Sequence, residues 1–183
     1  DPIAIRWLKR YAMDAFTPEQ VKAIVGTSNA PSSGRSVAIV GSGPAGLTTA
    51  FDLARMGHAV TVYEGLDRPG GMPRYGIPEY RLPYDRLDAD IDVIRAMGVE
   101  IRCNTWIGRD ITLAELQQEH DAVLLGLGMQ LGRSTRIPGS EHAGVVKAVD
   151  VLRDVTAEIP TTVPTSAVVI GGGNVAMDTA RTL

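Results

Sequence analysis

A doubly wound α/β fold, with helices on both faces of a parallel sheet, is predicted for this 183-residue sequence by three observations. Residues 37–40 are a β-branched run that stops at a glycine-rich turn, and a segment of helical period and a second β-branched run follow at once. Residues 121–128, DAVLLGLG, form a nearly continuous apolar run ending in glycines, as expected of a parallel strand buried on both faces. Residues 167–176 then repeat the strand-and-glycine pattern, 130 positions after the first.

Taken in order, residues 3–15 place Ile3, Trp7, Leu8, Tyr11 and Ala15 on one face of a helix, with the charges mostly elsewhere on a solvated face. Thr17, Pro18 and Gln20 have the spacing of a capping box with proline in the first turn, so a second helix is expected to run to Gly26. Residues 26–35, GTSNAPSSGR, read as a connector. Beyond the first turn, Leu47, Ala50, Phe51, Leu53, Ala54 and Met56 define a helix that Gly57 ends, and residues 59–63 make the next strand. Residues 65–74 are too rich in glycine and proline for a regular element, and residues 75–84 show no clear period. A helix over 85–97, a strand over 99–102, a helix opened by the Thr112/Glu115 capping box and a short helix near 148–155 complete the pattern. The expected organisation is a helical segment over 1–26, one large domain over 36–160, and the start of a second over 166–183.

Composition narrows the function classes. A net charge of −3 gives no reason to expect nucleic acid or an anionic membrane as partner. No apolar run approaches the ~18–20 residues that cross a bilayer. The first residues lack the apolar core of a secretion signal, so a cytoplasmic location is expected. With Cys103 the only cysteine, there is no redox pair and no thiolate set for a cluster or metal, and Cys103 itself reads as a small strand hydrophobe. His58, His120 and His142 sit at element edges, where surface roles are expected.

The first glycine turn carries the chemistry. In Gly41-Ser42-Gly43-Pro44-Ala45-Gly46, the first glycine allows the tight turn, Gly43 lets a pyrophosphate approach the backbone, and Gly46 lets helix and strand pack closely. The amides that open the helix offer a partial positive charge to that pyrophosphate. Glu64, 23 residues after Gly41 at the tip of the second strand, is placed to accept hydrogen bonds from ribose hydroxyls. A dinucleotide site is therefore expected. The second turn, Gly171-Gly172-Gly173-Asn174-Val175-Ala176, has the GxGxxA form of another, with little sequence after it. The sequence thus reads as a piece of a longer chain; an ordinary strand, turn and helix that finish the first domain is the competing reading.

Two such motifs separated by a strand ending LLGLG resemble the two-dinucleotide flavoproteins. Within them the chain resembles the NADPH-dependent glutamate synthase small (beta) subunit family, with the flavin part of dihydropyrimidine dehydrogenase. The likeness is carried by AIVGSGPAGL (38–47), PGGMPRYGIPEYRLPYDR (69–86), GVEI with NTWIG (98–108), DAVLLGLG (121–128) and IGGGNVAMD (170–178), and the segment 69–86 is the discriminating one. The resemblance implies a Rossmann-like FAD-binding domain followed by the truncated start of an NAD(P) domain. It implies FAD contacts from Gly41, Ser42, Gly43, Pro44, Ala45 and Gly46, from Glu64, Gly65, Gly70, Gly71 and Met72, and from Arg81, with a structural salt bridge as the other role open to Arg81. Backbone near Ile107 would meet the adenine and Gly128 the flavin side. Gly173, Asn174, Val175 and Ala176 would serve NADP(H). In the parent protein, hydride would pass from NADPH to FAD and electrons onward to an iron–sulfur domain or subunit, with a glutamate synthase large subunit among the implied partners. No catalytic side chain is named, because the cofactors do the chemistry. Residues 1–183 alone are expected to be inefficient in reduction by NADPH. An isolated, non-catalytic FAD-binding or assembly module, or the flavin part of another family member serving pyrimidine or ferredoxin reduction, is the competing reading; a flavin monooxygenase fits the first motif but not segment 69–86, and a disulfide reductase is disfavoured by the cysteine count.

Overall fold

The computed structural model describes residues 2–26, 30–133, 135–160 and 164–183. Helices α1 (Ile5–Asp14) and α2 (Pro18–Val25) precede β1 (Ser36–Val40), α3 (Pro44–Arg55) and β2 (Ala59–Tyr63). A short helix α4 (Met72–Tyr75), then α5 (Tyr84–Ala96), β3 (Glu100–Arg102), α6 (Leu113–Glu119) and β4 (Ala122–Leu125) follow, and α7 (Ala148–Thr156) and α8 (Asn174–Thr182) end the series. The four strands form one all-parallel sheet in the order β3-β2-β1-β4. The chain thus winds outward in one direction through β2 and β3 and then returns past β1 to β4. This is the doubly wound, Rossmann-like α/β fold that the sequence predicts.

Alternation along β1 sorts the core into two layers. Val37 and Ile39 face Ala50 and Ala54 of α3 together with Val60, Val62 and Val99. Ala38 and Val40 face the other way, onto Tyr63 and Leu116 of α6. Both faces of the strand are covered, which is why its sequence is apolar at consecutive positions. Strand β4 is fastened to β1 at its start by Asp121. Its carboxylate accepts from the Ser36 amide at 2.8 Å and from Arg35 Nη1 at 2.7 Å.

Both capping boxes form. Thr17 Oγ1 accepts from the Gln20 amide while Gln20 Oε1 accepts from the Thr17 amide, and Thr112 and Glu115 repeat the exchange. The helix read at 3–15 is α1, but none of its residues is buried, and Trp7, Leu8 and Tyr11 all face outward.

Three expectations change. Helix α4 lies inside the stretch read as irregular; one turn needs only Pro73 near its start and no apolar period. The described part of the connector is tied down: the Ser33 amide donates to Gly57 O at 2.9 Å and Ser33 Oγ lies 2.7 Å from His58 Nδ1. Its residues 27–29 lie outside the described ones. The strand read at 167–170 is not a strand, and Val168 is 92% exposed. A strand exists only by exchanging backbone hydrogen bonds with a neighbour, and among the described residues none lies beside this one. No helix is long and apolar enough to cross a membrane among the described residues.

Candidate functional site

The site is built where β1 and β2 end side by side. Gly41 leaves β1 with φ +101°, and its amide donates to Tyr63 O at 2.8 Å. A Cβ at Gly41 would stand 2.5 Å from Gly126 O. Inside α3, a Cβ at Gly46 would stand 1.9 Å from Gly41 O. Strand, turn and helix are therefore packed backbone to backbone, which only these two glycines permit. Helix α3 opens at Gly43 with no side chain capping its amides and with Pro44 in its first turn. A Cβ at Gly43 would meet nothing nearer than the Gly71 Cα at 4.0 Å, so the backbone here borders open space.

Glu64 organises the tip of β2. It is 5% exposed, and its Oε2 accepts from the Ser42 amide at 3.0 Å and from Ser42 Oγ at 2.5 Å. Its Oε1 accepts from the Leu66 amide at 3.0 Å. Ser42, fully buried, in turn accepts from the Gly70 amide at its carbonyl and its hydroxyl. With two lone pairs on each carboxylate oxygen, Oε2 is fully engaged by Ser42 and Oε1 keeps one acceptor site beside the Leu66 amide.

Gly71, with φ +59°, crosses Gly43 so closely that a Cβ on it would come within 2.6 Å of the Gly43 Cα. Arg74 anchors this crossing. Its guanidinium is 1% exposed, donates from Nε to Pro69 O at 3.2 Å, pairs with Asp88, and stacks 4.9 Å from the Tyr84 ring centroid. On the opposite side Trp106 packs over Gly65, whose Cβ would lie 2.7 Å from the indole. The Trp106 amide donates to Asp110 at 2.8 Å, and the Arg109 guanidinium together with that amide holds the Asp110 carboxyl below the usual carboxylate range.

Together these walls enclose a cleft of about 340 Å³ across the carboxyl end of β1, where ligands bind in open α/β sheets. Of the residues singled out in the sequence, Gly41, Gly43, Pro44, Glu64 and Gly65 line it. Gly71, Met72, Ile107 and Gly128 line it too. Ser42, Gly46 and Gly70 are buried outside that lining, with Ser42 and Gly70 in the Glu64 network, while Ala45 is exposed and outside it as well.

Arg81 is not brought to the cleft. Its Nε and Nη2 both donate to Asp178 Oδ1 on α8, at 2.9 and 2.6 Å. Gly173, Asn174, Val175 and Ala176 form the start of α8, apart from the cleft. Sequence reasoning passed over Trp106, Leu127 and Met129, which also line the cleft. Trp106 was legible as the one tryptophan between Glu64 and Gly128; Leu127 was hidden in an apolar run that reads as strand, and Met129 directly follows that run.

Known proteins resemble this chain over most of its length. The family model described as pyridine nucleotide-disulphide oxidoreductase matches residues 35–183. The chain is 48% identical to the NAD-dependent dihydropyrimidine dehydrogenase subunit PreT of Escherichia coli O157:H7, over 80% of this chain and 35% of that protein. It is 40% identical to the glutamate synthase [NADPH] small chain of Mycobacterium tuberculosis, over 82% of this chain and 34% of that one. Among solved structures, Mycobacterium tuberculosis FprA in complex with NADPH superposes with a TM-score of 0.68 at 29% identity, covering 80% of this chain and 36% of FprA. The chain spans about a third of the length of these relatives.

Proposed function

The chain belongs to the pyridine nucleotide-disulphide oxidoreductase family, and from that premise we propose that its first cleft holds FAD in an NAD(P)H-dependent oxidoreductase of the glutamate synthase small-subunit type. The observation that carries this reading is the bare backbone wall at Gly43, where a side chain would enter open space and the start of α3 has no side-chain cap. Such a wall suits a pyrophosphate, which is held by amides and a helix N-terminus.

Gly41, Gly43 and the first amides of α3 would hold the pyrophosphate, with Gly46 keeping the helix close behind them. Glu64 would accept from a ribose hydroxyl with the Oε1 lone pair that the Leu66 amide leaves over. Backbone at Ile107 would border the adenine, and Gly71, Met72 and Gly128 the flavin side. A cleft of about 340 Å³ lies at the small end of the roughly 300–1,000 Å³ typical of ligand sites, so it accounts for part of such a molecule. When bound, FAD supplies the ability to take two electrons together and release them singly. The chain's own residues bind, orient and exclude water, and none donates or removes a proton.

The turn at 171–176 would take the nicotinamide dinucleotide in the complete protein. The relatives are named for both NADPH and NAD, and either serves the same role here. Onward electrons would go to an iron–sulfur domain or subunit, for which a glutamate synthase large subunit is one setting.

The test is to purify the protein, release its chromophore by denaturation, identify it by mass, and record bleaching by NADPH in the complete protein. FAD and bleaching support the reading in full. FAD without bleaching supports a binding module. A purified protein that neither carries nor takes up FAD contradicts it.

A further inference from the structure

One carboxylate joins the two glycine-turn regions. Asp178 lies on α8, four residues beyond Asn174, and is 4% exposed. Its Oδ1 accepts from Arg81 Nε at 2.9 Å, from Arg81 Nη2 at 2.6 Å and from the Tyr80 hydroxyl at 3.1 Å. Three residues further along, Arg181 places its guanidinium carbon 4.1 Å from the centroid of the Tyr80 ring. Positions three apart share one face of a helix, so α8 grips the loop at 80–81 with two side chains from a single face.

Besides this clasp, α8 packs against α7, while the turn it carries is open. A Cβ at Gly172 or Gly173 would meet nothing within 4 Å, and Val168 and Ile170 before it are exposed. On the other side, the gripped loop belongs to the segment between Gly71 and α5, and that segment is fixed to the first cleft through Arg74 and Asp88. A buried carboxylate that loses its cationic partner is strongly penalised, so this contact admits few alternatives.

We propose that Asp178 is a positioning residue: through Tyr80 and Arg81 it sets the second glycine turn against the domain that carries the first, so dinucleotide affinity at the second turn depends on a loop of the first domain. The proposal rests on the reading of 171–176 as a nucleotide turn. Arg81 then serves the second turn by way of Asp178.

The experiment follows hydrogen–deuterium exchange of the complete protein in wild type, D178N, R81Q, R81K and Y80F, each with and without NADP+. D178N and R81Q are expected to speed exchange at 176–182 by tenfold or more, leaving 37–47 and FAD uptake unchanged. They are also expected to weaken NADP+ protection of 171–176 several-fold, and R81K, which keeps the charge, should recover part of it. Y80F, which removes one hydroxyl only, should give a smaller effect of the same pattern, and it decides the matter if D178N does not fold. Exchange at 176–182 within twofold of wild type in D178N and R81Q, or in Y80F when it decides, overturns the proposal. Absence of NADP+ protection in wild type contradicts the assignment of the second turn alone, because the exchange of α8 still reports whether the clasp holds it.

Discussion

The two glycine turns share a sequence pattern and differ in nearly everything around it. At the first, β1 lies between β2 and β4, its side chains are buried on both faces, and the turn is walled by Gly71 and Trp106. At the second, the four residues before the turn belong to no strand, Ile170 is 68% exposed, and the turn leads into α8, which Arg81 holds through Asp178. Motif glycines supply permission for a close approach. What approaches is decided by the walls, and only the first turn has walls among the described residues.

The third motif position gives the largest expected contrast. G46A drives a methyl against the Gly41 carbonyl, which is backbone and cannot move aside, so a loss of about 3 kcal/mol or more is expected, in the range of severe core overpacking. The same position in the second turn is already alanine, and A176G should cost about 1 kcal/mol or less, the helix penalty of glycine alone. Urea unfolding of both variants checks the difference; equal losses would erase the distinction between the turns.

The second position separates binding from stability. At Gly43 an added methyl has room, so G43A should leave the melting temperature nearly unchanged while weakening FAD uptake by tenfold or more. G173A, equally uncrowded, should change neither. Next in size, S42A removes a hydroxyl that donates to buried Glu64; a hydrogen bond to a charged group contributes about 1.5–3 kcal/mol, and thermal unfolding should show a loss of that order.

The smallest effect concerns what the segment 167–170 lacks, a tie to its neighbour. The Ser36 amide first, and then Arg35, hold the Asp121 carboxyl below its ordinary range. A depressed folded value means that the stabilisation is present above the unfolded value of about pH 4 and is lost as pH falls through the folded one. D121N should therefore melt slightly below wild type at pH 7, with the gap closing in acid. A gap that persists unchanged at pH 2 would show that the carboxylate's charge is not its source.

Much of this was legible before any coordinates. The run from Ser36 to Glu64 states its strand, turn, helix and strand in order because periodicity and glycine chemistry agree at each step. Both capping boxes were legible because threonine and its partner three residues on satisfy each other locally. What escaped depends on distant partners. The residues 167–170 spell a strand as clearly as 37–40 do, yet strand pairing is a property of two segments. Arg81 carries a planar fork that fits a cofactor or a carboxylate equally well, and only the fold brings Asp178 to it. Trp106 is one aromatic among several until Gly65 is seen beneath it.

The account rests on the backbone wall at Gly43 being a pyrophosphate site. The most direct measurement is a titration of the protein, freed of any bound chromophore, with FAD, followed by flavin fluorescence in the presence and absence of ADP, for wild type and G43A. Saturable binding of one FAD per chain, displaced by ADP and weakened at least tenfold in G43A, is the predicted result. Binding that ADP does not displace and G43A does not weaken would place the flavin elsewhere and contradict the account.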